Sequence, residues 1–563
     1  MDPSAGNVVA RGRVGRFFFS TDHKVVAAQY VITALTMLFV GFLFMLLMRW
    51  QLAYPYESVP FIGHWFAADH PTMPGGVITA NFYNQLGAMH GTIMIFLAVV
   101  PLVAGGFGTY LVPLMIGASG MAFPRLSKLG YWCYLVGTLI LLASFFLPGG
   151  AANSGWTAYP PLSVVENAGQ SMWLIGVAFV YLSSLVLSIN ILTTIVQLRV
   201  AGLHFMRLPY FVWAQLVTSV LLLLAFPPLA AAAVMQLMDR IEGTSFFLPS
   251  GLVVSGQALE VSGGGSALLW QHLFWFLAHP EVYVLLLPAF GVVAEVIANN
   301  TRKPLFGYKG MVHSTLFLGA MSMLVWAHHM FLTGMGTVMG EFFQITTIII
   351  SLPSVIVASS LVVSLWGGSI RFNVPMLYAL AFLPMFAIGG LTGLPLAMSA
   401  TNIALHDTYY VIGHFHYVVA PGILFAIFAG IYYWFPKVTG RQMNSVLGHL
   451  HFWPTLICMN GIFSHMILQG IGGVSRRLYD GGETYAHGAE IHNLNAAATW
   501  AAIGLLVVQV FFIINFFYSM RFGKKVDRNP WEATTLEWAA PSPPLLGANF
   551  EAPVVAHRGP MDY

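Results

Sequence analysis

Cysteine is nearly absent from this 563-residue sequence: Cys133 and Cys458 are the only two, and both fall inside apolar stretches. Two such residues cannot build a disulfide framework or a thiolate metal cluster, so any metal must use other ligands. Charge is scarce as well. Only 8% of residues are Asp, Glu, Lys or Arg, against about 25% in an ordinary soluble domain, which excludes a soluble globular protein. What fills the space is apolar: 58% hydrophobic residues and a mean hydropathy of +0.76. The apolar runs exceed the roughly 20 residues that span a bilayer as helix, so the expected fold is all-α, a polytopic membrane protein. A net charge of +3 says little about partners, because charge placement matters more than its sum in such a protein. No nucleic acid partner is expected.

Apolar stretches fall near 25–48, 86–117, 128–148, 171–198, 209–238, 265–298, 308–335, 341–366, 374–398, 405–436, 449–470 and 491–520. They predict a bundle of twelve transmembrane helices. Nineteen of the 23 basic residues fall in the segments before, after and alternately between these helices, and only Arg49, Arg240, Arg476 and Arg477 lie on the other side. The positive-inside rule then places both termini in the cytoplasm. The organisation expected is a cytoplasmic N-terminal segment 1–24, a helical core 25–520 and a cytoplasmic tail 521–563, whose Pro541, Pro543 and Pro544 point to an extended chain lying against the core. No cleavable signal peptide is expected, since the first apolar run is full-length and no small-residue cleavage site follows it.

Ionisable residues inside a span are expensive and by default mark a site facing the bundle interior. Here they are mostly histidines. The sixth stretch contains His279-Pro280-Glu281-Val282-Tyr283, the seventh Trp326-Ala327-His328-His329, the tenth His406-Asp407-Thr408-Tyr409-Tyr410 followed by His414-Phe415-His416, and the second a lone His90. His279 and Tyr283, four apart, share a helix face and can touch. Residues two apart on an α-helix point about 200° away from each other, so His414 and His416 cannot easily chelate one metal and should serve two centres. His416 can pair with His90 across the bundle to give a coordinatively closed heme, while His414 alone leaves a heme with an open face. His279, His328 and His329 form a three-imidazole set suited to copper, zinc or iron. A lone buried histidine such as His90 is commonly a hydrogen-bonded structural residue, and a His-His pair alone means little. Six histidines in four apolar stretches with a tyrosine beside one of them are much harder to explain structurally. Gly334-Met335-Gly336 superficially suggests a nucleotide loop, but with no strand nearby it is assigned to a turn.

These segments resemble subunit I of the heme-copper oxidases, on its cytochrome c oxidase branch. The resemblance covers nearly the whole chain, including Ser20-Thr21-Asp22-His23-Lys24, Met121-Ala122-Phe123-Pro124-Arg125, Tyr159-Pro160-Pro161-Leu162-Ser163 and Leu536-Glu537-Trp538 besides the histidine motifs. It implies that His90 and His416 ligate a low-spin heme, His414 a high-spin heme, and His279, His328 and His329 a copper ion, with Tyr283 covalently joined to His279. Glu281 looks like the internal proton donor. Arg49 resembles the arginine at the low-spin heme's formyl group, Arg476 and Arg477 those at the propionates, and His406 and Asp407 the ligands of a magnesium or manganese ion. The implied activity is four-electron reduction of dioxygen to water, with Tyr283 supplying one electron and a proton. Two hemes are implied, with type a the expectation. Implied partners are cytochrome c as donor, a subunit II carrying a dinuclear copper site, a subunit III and the lipid bilayer, in the inner (plasma) membrane of a bacterium.

Some positions depart from the family's usual pattern. Ser119 and Gly120 stand where proline and aspartate are usual, Val357 where the eighth helix usually carries lysine, Thr109 and Ser127 where asparagines are usual, and Asn402 where aspartate is usual. Both usual proton paths thus lack their charged residue, which puts ordinary proton pumping in doubt. Within the superfamily, nitric oxide reductase has no need of the tyrosine, and Tyr283 is retained. Quinol oxidase would need polar residues where Val40, Phe44 and Phe82 stand. A non-enzymatic transporter is the reading from a different class, and a heme absorption spectrum separates it from the others.

Overall fold

In hydrocarbon, backbone groups must find their hydrogen bonds within the protein, which leaves helices or closed barrels as the spanning structures. The computed structural model describes residues 13–165, 167–254, 256–482 and 489–560. The outermost parts of the two terminal segments, 1–12 and 561–563, lie outside the described residues. Among the described residues the chain is 71% helical, with no closed barrel.

Among the described residues eleven helices are long and apolar enough to cross a membrane: α1 (His23–Ala53), α2 (Ala80–Met115), α3 (Pro124–Phe146), α4 (Ala168–Gln197), α5 (Tyr210–Ile241), α6 (Ala267–Thr301), α7 (Tyr308–Thr333), α8 (Gly336–Leu365), α9 (Val374–Ala397), α10 (Tyr409–Thr439) and α12 (Ile491–Phe522). The eleventh apolar stretch also folds as a helix, α11 (Ser445–Ile471). His449, His451, Asn460, Ser464, His465 and Gln469 make it too polar to join that set. Eleven of the twelve expected spans thus meet the length and composition of a membrane-crossing helix, and the remaining one, α11, is a helix of 27 residues.

Burial separates the helices into a centre and a rim. The most apolar windows of α2, α6 and α10 are 94%, 89% and 89% buried, against 17% for α1 and 33% for α8 and α12. The three central helices carry His90, His279, His414 and His416. They are also irregular. α2 passes through π-helical segments at Ile93–Val99 and Pro101–Gly108, and α10 through one at Val418–Leu424 around Pro421. Such π segments recur at functional sites, where the extra residue per turn re-aims side chains.

α7 departs from the expected continuous helix. Its α-helical part is Tyr308–Ser322, and after a short break Trp326–Thr333 continues as a 3₁₀ helix. The turn expected after it is present, with Gly334 at φ 83° and Gly336 at φ 76°, a conformation that glycine adopts without strain.

The tail lies against the core, as its composition suggests. Trp538 is buried, Trp531 donates from Nε1 to the Tyr433 carbonyl at 2.8 Å, and Lys437 donates to the Ala540 carbonyl at 2.7 Å. Asn549 reaches the start of α1, accepting from Lys24 Nζ at 2.9 Å and donating to the Ala118 carbonyl at 2.8 Å.

The seating of α10 depends on one close backbone approach. A Cβ on Gly470, near the end of α11, would lie 1.8 Å from the backbone nitrogen of Tyr410. Gly470→Ala is therefore expected to cost about 1–3 kcal/mol through overpacking, lowering the thermal unfolding midpoint of the detergent-solubilised protein. An unchanged midpoint would contradict this packing.

Candidate functional site

A cavity of about 2360 Å³ runs through the centre of the bundle. Protein interiors normally hold few voids larger than a water molecule, and small-molecule sites measure roughly 300–1,000 Å³. This one has room for more than one large ligand. Its walls include all six of His90, His279, His328, His329, His414 and His416, with Tyr283 and Arg49, and at one end His406, Asp407, Arg476 and Arg477.

The three-imidazole set is assembled from two elements. His279 comes from the middle of α6. His328 and His329 come from the 3₁₀ segment, and although they are consecutive, both rings approach His279. One nitrogen from each ring lies within 4.8 Å of the other two. The ring centroids are 4.5 Å apart for His279 and His328, and 4.2 Å for His328 and His329. The protonation pattern can be followed by hydrogen bonds. Thr347 Oγ1 donates to the Phe343 carbonyl at 2.5 Å, so it accepts from His328 Nδ1 at 2.9 Å. His328 Nε2 then presents a lone pair to His329 Nε2, 3.1 Å away. Both ring nitrogens of His279 are buried with no hydrogen-bond partner. A buried polar group left unpaired costs about 1–3 kcal/mol, and a metal ion relieves that cost at all three rings. The indole of Trp275 stacks on His329 at 3.8 Å and is itself tied to the Tyr159 hydroxyl. Tyr283 lies against His279, ring centroids 5.2 Å apart.

The remaining three histidines share one arrangement. His90 donates from Nδ1 to the Gly41 carbonyl, His416 to the Ile412 carbonyl and His414 to the Gly389 carbonyl, each at 2.8 Å. Fixing Nδ1 in this way orients the ring and leaves Nε2 as a ligand, the usual outer bond of a metal-bound histidine. The rings of His90 and His416 are parallel within 7° and their centroids 6.5 Å apart. Two imidazoles ligating one iron from opposite sides, with metal–nitrogen bonds of about 2 Å, need a separation of this size. His414, two residues from His416, is an electrostatic neighbour of His328 instead, so the two rings face different centres, as their spacing predicts.

Arg49 is buried. It donates from Nη2 to the Asn495 carbonyl at 2.8 Å and from Nε to Thr499 at 3.3 Å, leaving Nη1 with no partner. At the polar end, Arg476 pairs with Asp407 at 2.5 Å and Arg477 donates to Thr157 at 3.4 Å. Burial opposes ionisation of Asp407, but Arg476, His406 and Arg477 together hold its carboxyl below the usual carboxylate range. Burial lowers the His406 pKa, opposed by Asp407 and aided by Arg476 and Arg477, which favours the neutral ring that can ligate a metal. Its Nε2 is 3.4 Å from Asp407 Oδ2.

Glu281 is placed differently. It is buried with both oxygens unpartnered, yet it is not part of the cavity wall, because two residues along α6 turn it away from His279 and Tyr283. Its neighbour is Tyr181 on α4, whose hydroxyl is also unpartnered. Thr347, Trp275, Asn495 and Thr499 support the site and were not legible as such in the sequence. Each is far in sequence from the residue it holds or has no local motif.

The chain matches the sequence model of the family described as "Cytochrome C and Quinol oxidase polypeptide I" over residues 25–507. It is 43% identical over 550 residues to a protein of Synechocystis sp. named "Cytochrome c oxidase subunit 1", covering 97% of this chain and 92% of that one. It is 42% identical over 558 residues to the "Alternative cytochrome c oxidase subunit 1" of Bradyrhizobium diazoefficiens, covering 97% and 90%. A solved structure titled as a heme-copper terminal oxidase dimer shares the fold with a TM-score of 0.71 at 21% identity, covering 90% of this chain and 85% of that one. With a matching histidine-lined cavity at its centre, the chain belongs to the cytochrome c and quinol oxidase polypeptide I family, as a heme-copper oxidase subunit I.

Proposed function

We propose that this chain is the catalytic subunit of a terminal respiratory oxidase that reduces dioxygen to water with electrons from cytochrome c. The observation that carries the reading is the three-imidazole set with Tyr283 on one wall of a cavity whose other walls present His414, His90 and His416. His279, His328 and His329 would hold copper, His414 a high-spin heme with one open face, and His90 with His416 a low-spin heme. When bound, these groups supply the electrons and the place where oxygen is reduced. Tyr283 contributes from the protein side. Its ring touches His279, so its hydroxyl is positioned to yield a proton and an electron at the cavity wall.

The same reading extends to the periphery. The unpartnered Nη1 of Arg49 supports a type a low-spin heme, whose formyl oxygen would accept from it. Arg476 and Arg477 would bind propionates, while His406 and Asp407 would bind magnesium or manganese. The chain carries no paired-cysteine copper site, so electrons from cytochrome c would enter through a subunit II; a subunit III is also expected. We place the complex in the bacterial inner membrane with twelve spans, counting α11. The boundaries are 1–24, 25–520 and 521–563, with both termini cytoplasmic. Quinol as donor is the second reading; Val40, Phe44 and Phe82 offer it no polar partner.

Replacing His279 or His328 by alanine deletes one of three copper ligands. Copper content by mass spectrometry and oxygen consumption should both fall to background, with the low-spin heme spectrum retained; wild-type turnover without copper would sink the assignment. His416→Ala should abolish the low-spin heme signal with less effect on copper. If His414→Ala does so instead, the two faces of α10 are reversed.

Proton pumping is proposed to be reduced or absent. Gly120 has no side chain, and Val357 is buried without a charge. Glu281 still supplies protons for chemistry, and charge separation continues because electrons and protons arrive from opposite sides. The ratio of protons released to electrons consumed in reconstituted vesicles should fall well below one pumped proton per electron. A value near one requires a path other than these positions.

A further inference from the structure

The reduction O2 + 4 e⁻ + 4 H⁺ → 2 H2O draws protons into the middle of the bundle, and α6 gives them little help on the way. Between Tyr283 and Glu295 lie twelve helical steps, about 18 Å, and Leu285, Leu286, Leu287, Ala289, Phe290, Val292 and Val293 along that length are buried and apolar. Glu295 ends the apolar run. It is 4% exposed, and its Oε1 accepts from the backbone of Phe211 at the start of α5 at 3.2 Å.

A second carboxyl is nearby. Glu537, from the tail, is 1% exposed. Its Oε1 accepts from Thr535 Oγ1 at 2.7 Å and from Trp434 Nε1 at 3.4 Å, while its Oε2 has no partner. Thr535 lines, with Glu295, Asn299, Tyr433, Thr534 and Pro560, a narrow cleft between the core and the tail. The two carboxyls are close enough to interact electrostatically. The rings of Phe211 and Trp434, whose N–H groups bond one carboxyl each, lie 6.1 Å apart.

Among the described residues the ionisable groups around the pair are Lys437 on α10, which interacts with Glu537, Tyr433 on α10, which lines the cleft with Glu295, Tyr308 on α7, which interacts with Glu295, and Tyr210 on α5, whose hydroxyl is 2.6 Å from Thr315 Oγ1 on α7. One cation therefore serves two buried carboxyls, and two like charges at such a site cannot both ionise cheaply. The arrangement favours keeping a proton. It also adjoins the large cavity, because Trp434, the donor to Glu537, is among the residues lining it with Tyr283 and the histidines.

We propose that Glu295 and Glu537 form the entrance through which substrate protons pass from the membrane face covered by the C-terminal tail toward the oxygen-reducing cavity. A proton arriving at the seam between core and tail neutralises one carboxylate; that carboxyl releases it inward and regains its charge, so the pair is unchanged after each transfer. Glu295 is the outer member, since it lines the cleft, and Glu537 the inner one, since it bonds a wall residue of the cavity. The proposal rests on the oxidase reading and adds the side and residues of proton entry.

The test uses the complete oxidase complex in lipid vesicles, with oxygen uptake and a pH-indicator dye recorded after fully reduced enzyme meets oxygen. Oxygen consumption by the unsubstituted complex tests the oxidase reading alone. Glu295→Gln keeps an acceptor for the Phe211 N–H but cannot carry a proton. It should slow proton uptake and turnover on the order of 100-fold, with reduced heme spectra and carbon monoxide binding unchanged, and Glu295→Asp should restore most of the rate. Loss of equal size in Glu295→Asp would mean a structural cap on α5 and would overturn the proposal, as would wild-type proton uptake in Glu295→Gln. If Glu295→Gln does not assemble, Glu537→Gln replaces it: slowed uptake with intact spectra supports the entrance, and unaltered uptake refutes it.

Discussion

The constraint on which the rest of the structure depends is that three imidazoles must converge in a lipid-embedded bundle with almost no protein hydrogen bonds to hold them. His279 is the extreme member, buried with both ring nitrogens unpartnered. Such a ring is tolerable only where a cation completes it. The surrounding architecture serves that convergence. α6 is buried over most of its length, α7 stops being an α-helix just before His328, and Trp275 and Thr347 brace the two rings that lack a helix of their own.

Breaks in regular helix do comparable work elsewhere. The π-helical segments of α2 and α10 begin shortly after His90 and His416, the two residues whose rings lie parallel across the cavity. A straight helix advances each residue by a fixed 100°, so two helices meeting at one angle can aim few side chains independently. An extra residue in a turn, or a tighter 3₁₀ turn, changes that angle locally. The backbone bonds given up are tolerated because these stretches are inside the protein rather than against lipid.

How much of this was legible depended on whether the signal was local. The spans follow from hydropathy, and the opposed roles of His414 and His416 follow from a two-residue spacing. Contact between His279 and Tyr283 follows from a four-residue one. The 3₁₀ segment was not legible, because Trp326-Ala327-His328-His329 reads as a continuation of the apolar run. Nor was the mixed character of α11, which combines apolar residues with buried polar ones such as His451. The hidden parts of the site are contacts between distant positions: Thr347 with His328, Asn495 with Arg49, Thr535 with Glu537. Glu281 shows the opposite failing. Its motif suggests an internal proton donor and gives no direction for its side chain, which lies beside Tyr181 rather than on the cavity wall.

The distribution of charge gives the bundle a direction. One end of the cavity is closed by Arg476, Arg477, His406 and Asp407, a cluster that neutralises itself through the 2.5 Å ion pair and still offers Arg477 and the His406 ring to anionic or metallic ligands. On the side of the bundle covered by the tail lie two buried acids, Glu295 and Glu537, with Lys437 beside them. Guanidinium groups cannot give up protons at any ordinary pH, so Arg476 and Arg477 can hold anions but cannot relay protons. Carboxyls can exchange them. The two ends are chemically unequal: two guanidinium groups stand at one, and two buried carboxyls with one ammonium group beside them at the other.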